Sequence, residues 1–153
     1  MTEKIKFGRV EPAAYKAMLG LEEYLAQSGL DKKILSLIKI KASQINKCAF
    51  CIDMHTKEAR KAGETEQRLY ALNAWQETPF FTTQERTALT LTEAVTLIAD
   101  NSISDELYDR VSRHFSQSEI VQIVMAISTI NAWNRIAITT RMIPGSYRVE
   151  QTR

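Results

Sequence analysis

Breakers of regular structure are scarce in this chain, with five glycines and three prolines among 153 residues. They fall mostly between periodic segments, leaving no long linker, no low-complexity tract and no internal repeat, so one domain over residues 1–153 is expected. No two glycines stand close enough to cradle a phosphate, so neither flavin nor nicotinamide binding is indicated and no cofactor is expected. Long apolar runs are absent as well. The longest, 120–130, is broken by Gln122, Ser128 and Thr129 and is too short to span a bilayer. Charge is nearly balanced at +2, which gives no strong pull toward nucleic acid or an anionic membrane. The first residues, Met1 to Lys6, are charged and polar with no apolar stretch behind them, so no secretory leader is read and the expected compartment is the cytoplasm. There are two cysteines, Cys48 and Cys51. In a reducing compartment such a pair points to catalysis or metal binding rather than to a structural staple.

What the chain does have is apolar residues, 44% of the total, arranged with helical spacing. Pro12 and Gly29 bracket a first helix to Ser28, and Asp31 caps a second that carries Ile34, Leu37, Ile38 and Ile45. A third is expected from about Asn46–Cys48 to Gly63, and a fourth from Thr65 to Trp75. Thr82 with Glu85 and Ser116 with Glu119 read as capping boxes. They open a fifth helix to about Asp100 and a seventh to about Thr140, with a sixth from Ser104 to Phe115 between them. The seventh is apolar around much of its circumference and is expected at the centre of the bundle or in a subunit interface. No period-two alternation suggests a strand. The expected fold is all-α, a single bundle of about six to seven helices. Lys32, Lys33, Lys39, Lys41 and Lys47 read as a solvated helix face.

The chemistry concentrates in Cys48-Ala49-Phe50-Cys51-Ile52-Asp53-Met54-His55. Residues three and four apart share a helix face, so both thiols and the imidazole fall on one stripe. The thiols can close a disulfide, and His55 can take the proton of Cys51 or stabilise its thiolate. Lys47 and a helix N-terminus capped by Asn46 would favour a thiolate at Cys48 instead. The spacing leaves open which sulfur attacks. Zinc held by Cys48, Cys51, His55 and His114 is a competing reading, although the spacing does not match structural zinc patterns. Two cysteines packed as small hydrophobes is another.

The stretch from Ala42 to His55, with its continuation Thr56-Lys57-Glu58-Ala59-Arg60-Lys61-Ala62-Gly63, resembles the core of the carboxymuconolactone decarboxylase family in its alkylhydroperoxidase D-like branch. The likeness resumes at Trp75-Gln76-Glu77-Thr78, Phe80-Phe81, Glu85-Arg86, 91–96 and Ile130-Asn131-Ala132-Trp133-Asn134-Arg135. It implies a helical homo-oligomer, a trimer or hexamer, that reduces hydroperoxides. Cys51 would attack the peroxide and become a sulfenic acid, Cys48 would resolve it to a disulfide, His55 would relay protons, and a dithiol or protein reductant would restore the thiols. The peroxidase pattern carries a relay Glu twelve residues before the first cysteine, where this chain has Ser36, which cannot act as a base near neutral pH. Either turnover is weak or another carboxylate substitutes, for which Glu93 is the candidate, its alternative being an ordinary exposed Glu. The lactone decarboxylases of the family lack the cysteine pair, which argues against that activity. A zinc-binding or redox-sensing oligomer, and lactone chemistry in the same pocket, stand as alternatives.

Of the remaining residues, His114 is read as closing a helix end. Asn131, Asn134 and Arg135 are read as a polar group inside the long apolar helix that must find partners, Arg135 with a carboxylate from another helix or subunit; the alternative is that Asn131 lines the cysteine pocket. Trp75, Trp133, Phe80 and Phe81 are read as core or interface anchors.

Overall fold

The computed structural model describes residues 2–149, and among these every regular element is helical. In chain order they are α1 (Phe7–Val10), α2 (Pro12–Gln27), α3 (Lys32–Ile45), α4 (Ala49–Lys61), α5 (Glu66–Ala71), a 3₁₀ segment (Leu72–Glu77), α6 (Thr83–Thr96), α7 (Asp105–Ser112) and α8 (Gln117–Thr140). None of these helices is long and apolar enough to cross a membrane.

The helix starts follow local chemistry. The carboxylate of Asp31 accepts from the N–H groups of Lys33 and Ile34 at 2.8 and 3.0 Å. Both capping boxes form. Thr82 accepts from the Glu85 N–H at 3.2 Å while the Thr82 N–H donates to Glu85 at 2.7 Å, and Ser116 and Glu119 repeat the exchange at 3.3 and 2.8 Å. Each cap satisfies N–H groups that the helix itself leaves open, a contribution of about 1 kcal/mol.

The centre of the bundle is α3, which packs against α4, α6 and α8. Ile34 and Ile38 of α3 meet Leu91 of α6 and Ile123 and Ile127 of α8. Leu37 and Ile40 meet Leu72, Trp75, Phe81 and Leu89. A third cluster joins Ala42, Cys48, Cys51, Ile130 and Ala137, so the cysteine pair is built into the core between α3 and α8.

Several expectations are corrected. The fourth helix stops at Ala71, because Ala74 at φ −120°, ψ 39° breaks the regular turn and the chain continues as 3₁₀. The fifth ends at Thr96. The long α8 packs on α3 and α6 and leaves Val121, Val124 and Ile138 exposed on one side, which leaves its expected place at a subunit interface open. Within the described residues Arg135 bonds not to a carboxylate of another helix but to the carbonyl and side-chain oxygens of Asn131, at 2.9 and 3.2 Å. Lys41 does not belong to a solvated face. It is 5% exposed, and its ammonium lies 3.1 Å from Glu93. The short α1 was not signalled by any apolar period.

Candidate active site

The site begins at the junction of α3 and α4. Asn46 ends α3, Lys47 turns the chain with a left-handed φ of 57°, and Cys48 is itself the N-cap of α4. The Cys51 N–H points at the Cys48 sulfur, 3.4 Å away. The expected cap, Asn46, has another task. Its side-chain amide donates to the Asn131 and Asn134 oxygens at 2.7 and 2.9 Å. The Asn134 amide, fully buried, donates in turn to Ser43 at 3.0 Å. Asn131 also reaches Thr96 at 3.2 Å. The polar residues of α8 thus satisfy one another and tie α3, α6 and the cysteine junction to α8.

Cys48 and Cys51 form a disulfide, with Cα atoms 5.4 Å apart. Cys48 caps α4 and Cys51 lies in its first turn, where open N–H groups and the helix dipole favour a thiolate once the bond is reduced. Cys51 and His55, one turn apart and both buried, line a cavity of about 310 Å³. Its apolar wall includes Leu19, Phe50, Met54, Trp133 and Met142, and Tyr15 and Trp133 meet edge to face with centroids 6.0 Å apart. On its other side Cys48 borders a second cavity of about 280 Å³, rimmed by Lys47 and Arg141.

The carboxylate beside His55 is Glu58, three residues further along α4. Its Oε2 lies 2.9 Å from His55 Nδ1, and its Oε1 accepts from the Tyr147 hydroxyl at 2.7 Å. Burial pushes the Glu58 carboxyl up. The hydrogen bonds from His55 and Tyr147, with the charges of His55 and Lys39, outweigh burial and hold the group below the usual carboxylate range. A carboxylate can only accept, so the hydrogen between the two residues sits on Nδ1, and in the neutral ring Nε2 is the nitrogen that can accept a proton. Ser36 lines a neighbouring cavity of about 290 Å³ together with Lys39, His55 and Glu58, so the position without its Glu still faces the imidazole region.

Sequence reasoning therefore named three residues that the fold brings together, Cys48, Cys51 and His55, and missed Glu58. Its three-residue spacing from His55 was the available signal. Glu93 stands elsewhere. Its Oε1 accepts from Trp75 Nε1 at 2.9 Å and pairs with Lys41, and Gln76 reaches its Oε2 at 3.2 Å. The carboxylates on the cavity that holds Cys51 and His55 are Glu22 and Glu58. Among the described residues no three or more His, Cys, Asp or Glu side chains are grouped to hold a metal ion. His114 follows α7 and offers its carbonyl to Gln84 at 3.3 Å.

A helical bundle with a paired Cys-x-x-Cys at a helix N-terminus and a histidine one turn on defines a class, and the comparisons agree with it. The sequence pattern of the carboxymuconolactone decarboxylase family matches residues 12–94, and the chain belongs to that family. It is 46% identical over 138 residues to the uncharacterized protein YdfG of Bacillus subtilis (strain 168), covering 90% of this chain and 94% of that one. The fold is similar to that of ATU0492 from Agrobacterium tumefaciens, a protein of unknown function suggested to be the antioxidant defence protein AhpD. The TM-score is 0.92 and the identity 42%, over 95% of this chain and 100% of that one. The debrominase Bmp8 shares the fold at a TM-score of 0.79 and 19% identity, over 89% of this chain and 73% of that one.

Proposed function

We propose that this protein is a thiol-dependent peroxidase of the alkylhydroperoxidase D-like type, cycling between the Cys48–Cys51 disulfide and two thiols. The observation that carries the reading is the placement of Cys51 and His55 on one largely apolar cavity, with Glu58 hydrogen-bonded to Nδ1 of the imidazole. His55 Nε2 takes the Cys51 proton, and Glu58 stabilises the imidazolium that results. The Cys51 thiolate attacks the distal oxygen of a hydroperoxide ROOH. The O–O bond breaks, His55 returns the proton to the leaving alkoxide as ROH, and Cys51 is left as a sulfenic acid. The Cys48 thiol then displaces water from that sulfur and closes the disulfide. A dithiol or a protein reductant gives two electrons and two protons by thiol–disulfide exchange and is itself oxidised.

Such a cycle suits a compartment that keeps thiols reduced, so a cytoplasmic location is part of the proposal. The chain is further proposed to assemble as a homo-oligomer, a trimer or hexamer. The exposed apolar Val121, Val124 and Ile138 of α8 support this, because association would remove them from water. Sedimentation showing only monomer would contradict assembly. The activity is tested by following consumption of an organic hydroperoxide with dithiothreitol as reductant. Turnover that falls to background in Cys51→Ser is expected. Full turnover in that variant overturns the assignment.

A further inference from the structure

We propose that Tyr147 is a positioning residue for Cys51, His55 and Glu58, and that the segment carrying it, residues 142–149, must be seated on α4 for Cys51 to be activated. The proposal rests on the thiol-redox reading and adds a component from a distant part of the chain.

The segment has no helix or strand of its own and is held to α4 at three points. The Gly145 N–H donates to Asp53 Oδ2 at 2.9 Å, Lys57 Nζ donates to the Tyr147 carbonyl at 3.3 Å, and the Tyr147 hydroxyl donates to Glu58 at 2.7 Å. Asp53 also takes Lys57 at 2.8 Å, so one carboxylate joins two of the three anchors. All three anchor residues stand on the helix that carries Cys51 and His55. Seating of the segment is thereby felt at the site through one rigid element.

The hydroxyl has a specific effect on Glu58. That side chain is 38% exposed and has rotamers that point to water. With His55 on one oxygen and Tyr147 on the other, both oxygens are fixed and the carboxylate stays on the imidazole. Without the hydroxyl, the carboxylate can swing into solvent, and the imidazolium loses its counter-charge in a buried setting. Met142 and Tyr147 also form part of the cavity wall, so the same seating closes the space in which Cys51 reacts.

The other ionisable groups around Glu58 are Lys32 and Lys39 of α3, Glu22 and Tyr15 of α2, His55 and Lys61 of α4, and Arg148 of the segment. None of them is altered by the variants below.

The test reads the Cys51 thiolate directly and needs no peroxide. In reduced Cys48→Ser protein, the rate of Cys51 alkylation by iodoacetamide is measured from about pH 4 to about pH 9, bracketing the carboxylate, imidazole and free-thiol ranges. In this parent the rise in rate is expected below the pH of a free thiol. Tyr147→Phe, which keeps the ring, is expected to move that rise upward by about one pH unit, a tenfold loss of rate on the limb. Asp53→Asn, which leaves Tyr147 and Glu58 intact but loosens the segment, is expected to move it in the same direction by a smaller amount. A merely structural role would scale the rates at all pH values without moving the limb. Variant limbs that coincide with a parent limb already shifted below a free thiol overturn this inference alone. A parent that alkylates as an ordinary thiol overturns both it and the activation of Cys51 on which it rests.

Discussion

Replacing Glu93 by Ala separates structure from catalysis at the carboxylate that the sequence had offered for the relay. Lys41 is 5% exposed and its ammonium faces Glu93 at 3.1 Å, with the Asn73 carbonyl, at 3.4 Å, as its one further partner among the described residues. Removing one member of a buried pair typically costs about 3–5 kcal/mol, because the remaining charge has lost its compensation. The Glu93 side chain keeps 29% of its exposure, so water can reach Lys41 in the variant, and the lower part of that range applies. Trp75 Nε1–H also loses its acceptor at 2.9 Å, a further cost of about 1 kcal/mol or more that overlaps with the first. The expected destabilisation is about 3 kcal/mol. For a domain of this size each kcal/mol lowers Tm by roughly 2–4 °C, so a fall of roughly 6–12 °C is predicted. Urea unfolding and a thermal melt measure it. Cys51 alkylation in the folded variant should match wild type. Lys41→Met combined with Glu93→Leu should recover most of the lost stability, since neither charge is then buried alone. A Glu93→Ala protein that melts normally but loses Cys51 reactivity would refute this reasoning and return Glu93 to the relay.

Two further outcomes follow from the same geometry. Glu58→Gln should slow Cys51 alkylation near neutral pH. It should also remove a pH-dependent part of stability: the Glu58 carboxyl is held below its unfolded value, so its contribution is complete above about pH 4.5 and is lost as pH falls through the folded value. Unfolding of wild type and variant as a function of pH should converge on the acid side, and a constant difference would contradict the assignment. Asn134→Ala, at a fully buried position, removes the hydrogen bonds to Ser43 and Asn46, which keep the Lys39 carbonyl and Asn131 as partners, and should cost about 1–3 kcal/mol in urea unfolding. A loss below about 0.5 kcal/mol, the range of an ordinary surface change, would show that the α3–α8 network is not a tie.

Most of the fold was legible because its signals are local. The caps at Asp31, Thr82 and Ser116 each name the first turn of a helix, and the apolar spacing of α3 names the face that meets α6 and α8. The 3₁₀ segment was not legible, since nothing in Leu72-Asn73-Ala74-Trp75 forbids another helical turn. Its course is set by tertiary contacts: Leu72 and Trp75 are buried against α3 and α6, and Arg86 takes the Trp75 carbonyl at 3.0 Å. At the site, spacing along one helix places Cys48, Cys51 and His55 together. The same rule reaches Glu58, but a Glu on a charged helix face carries no mark of its role until Tyr147, 89 residues later, is found upon it. Asn46 misled because an Asn before an apolar run usually caps. Here it is drawn away by two asparagines of α8, and the sulfur of Cys48 takes the cap.

The central claim is that Cys51 is the nucleophile and Cys48 its resolving partner. Mass spectrometry of thiol state tests it most directly, on reduced, metal-free protein treated with a slight excess of organic hydroperoxide, then alkylated and digested. The account predicts a Cys48–Cys51 disulfide in wild type and a sulfenic acid on Cys51 in Cys48→Ser. Free thiols at both positions after peroxide, or a sulfenic acid that forms on Cys48 when Cys51 is replaced by Ser and not on Cys51 when Cys48 is, would contradict it.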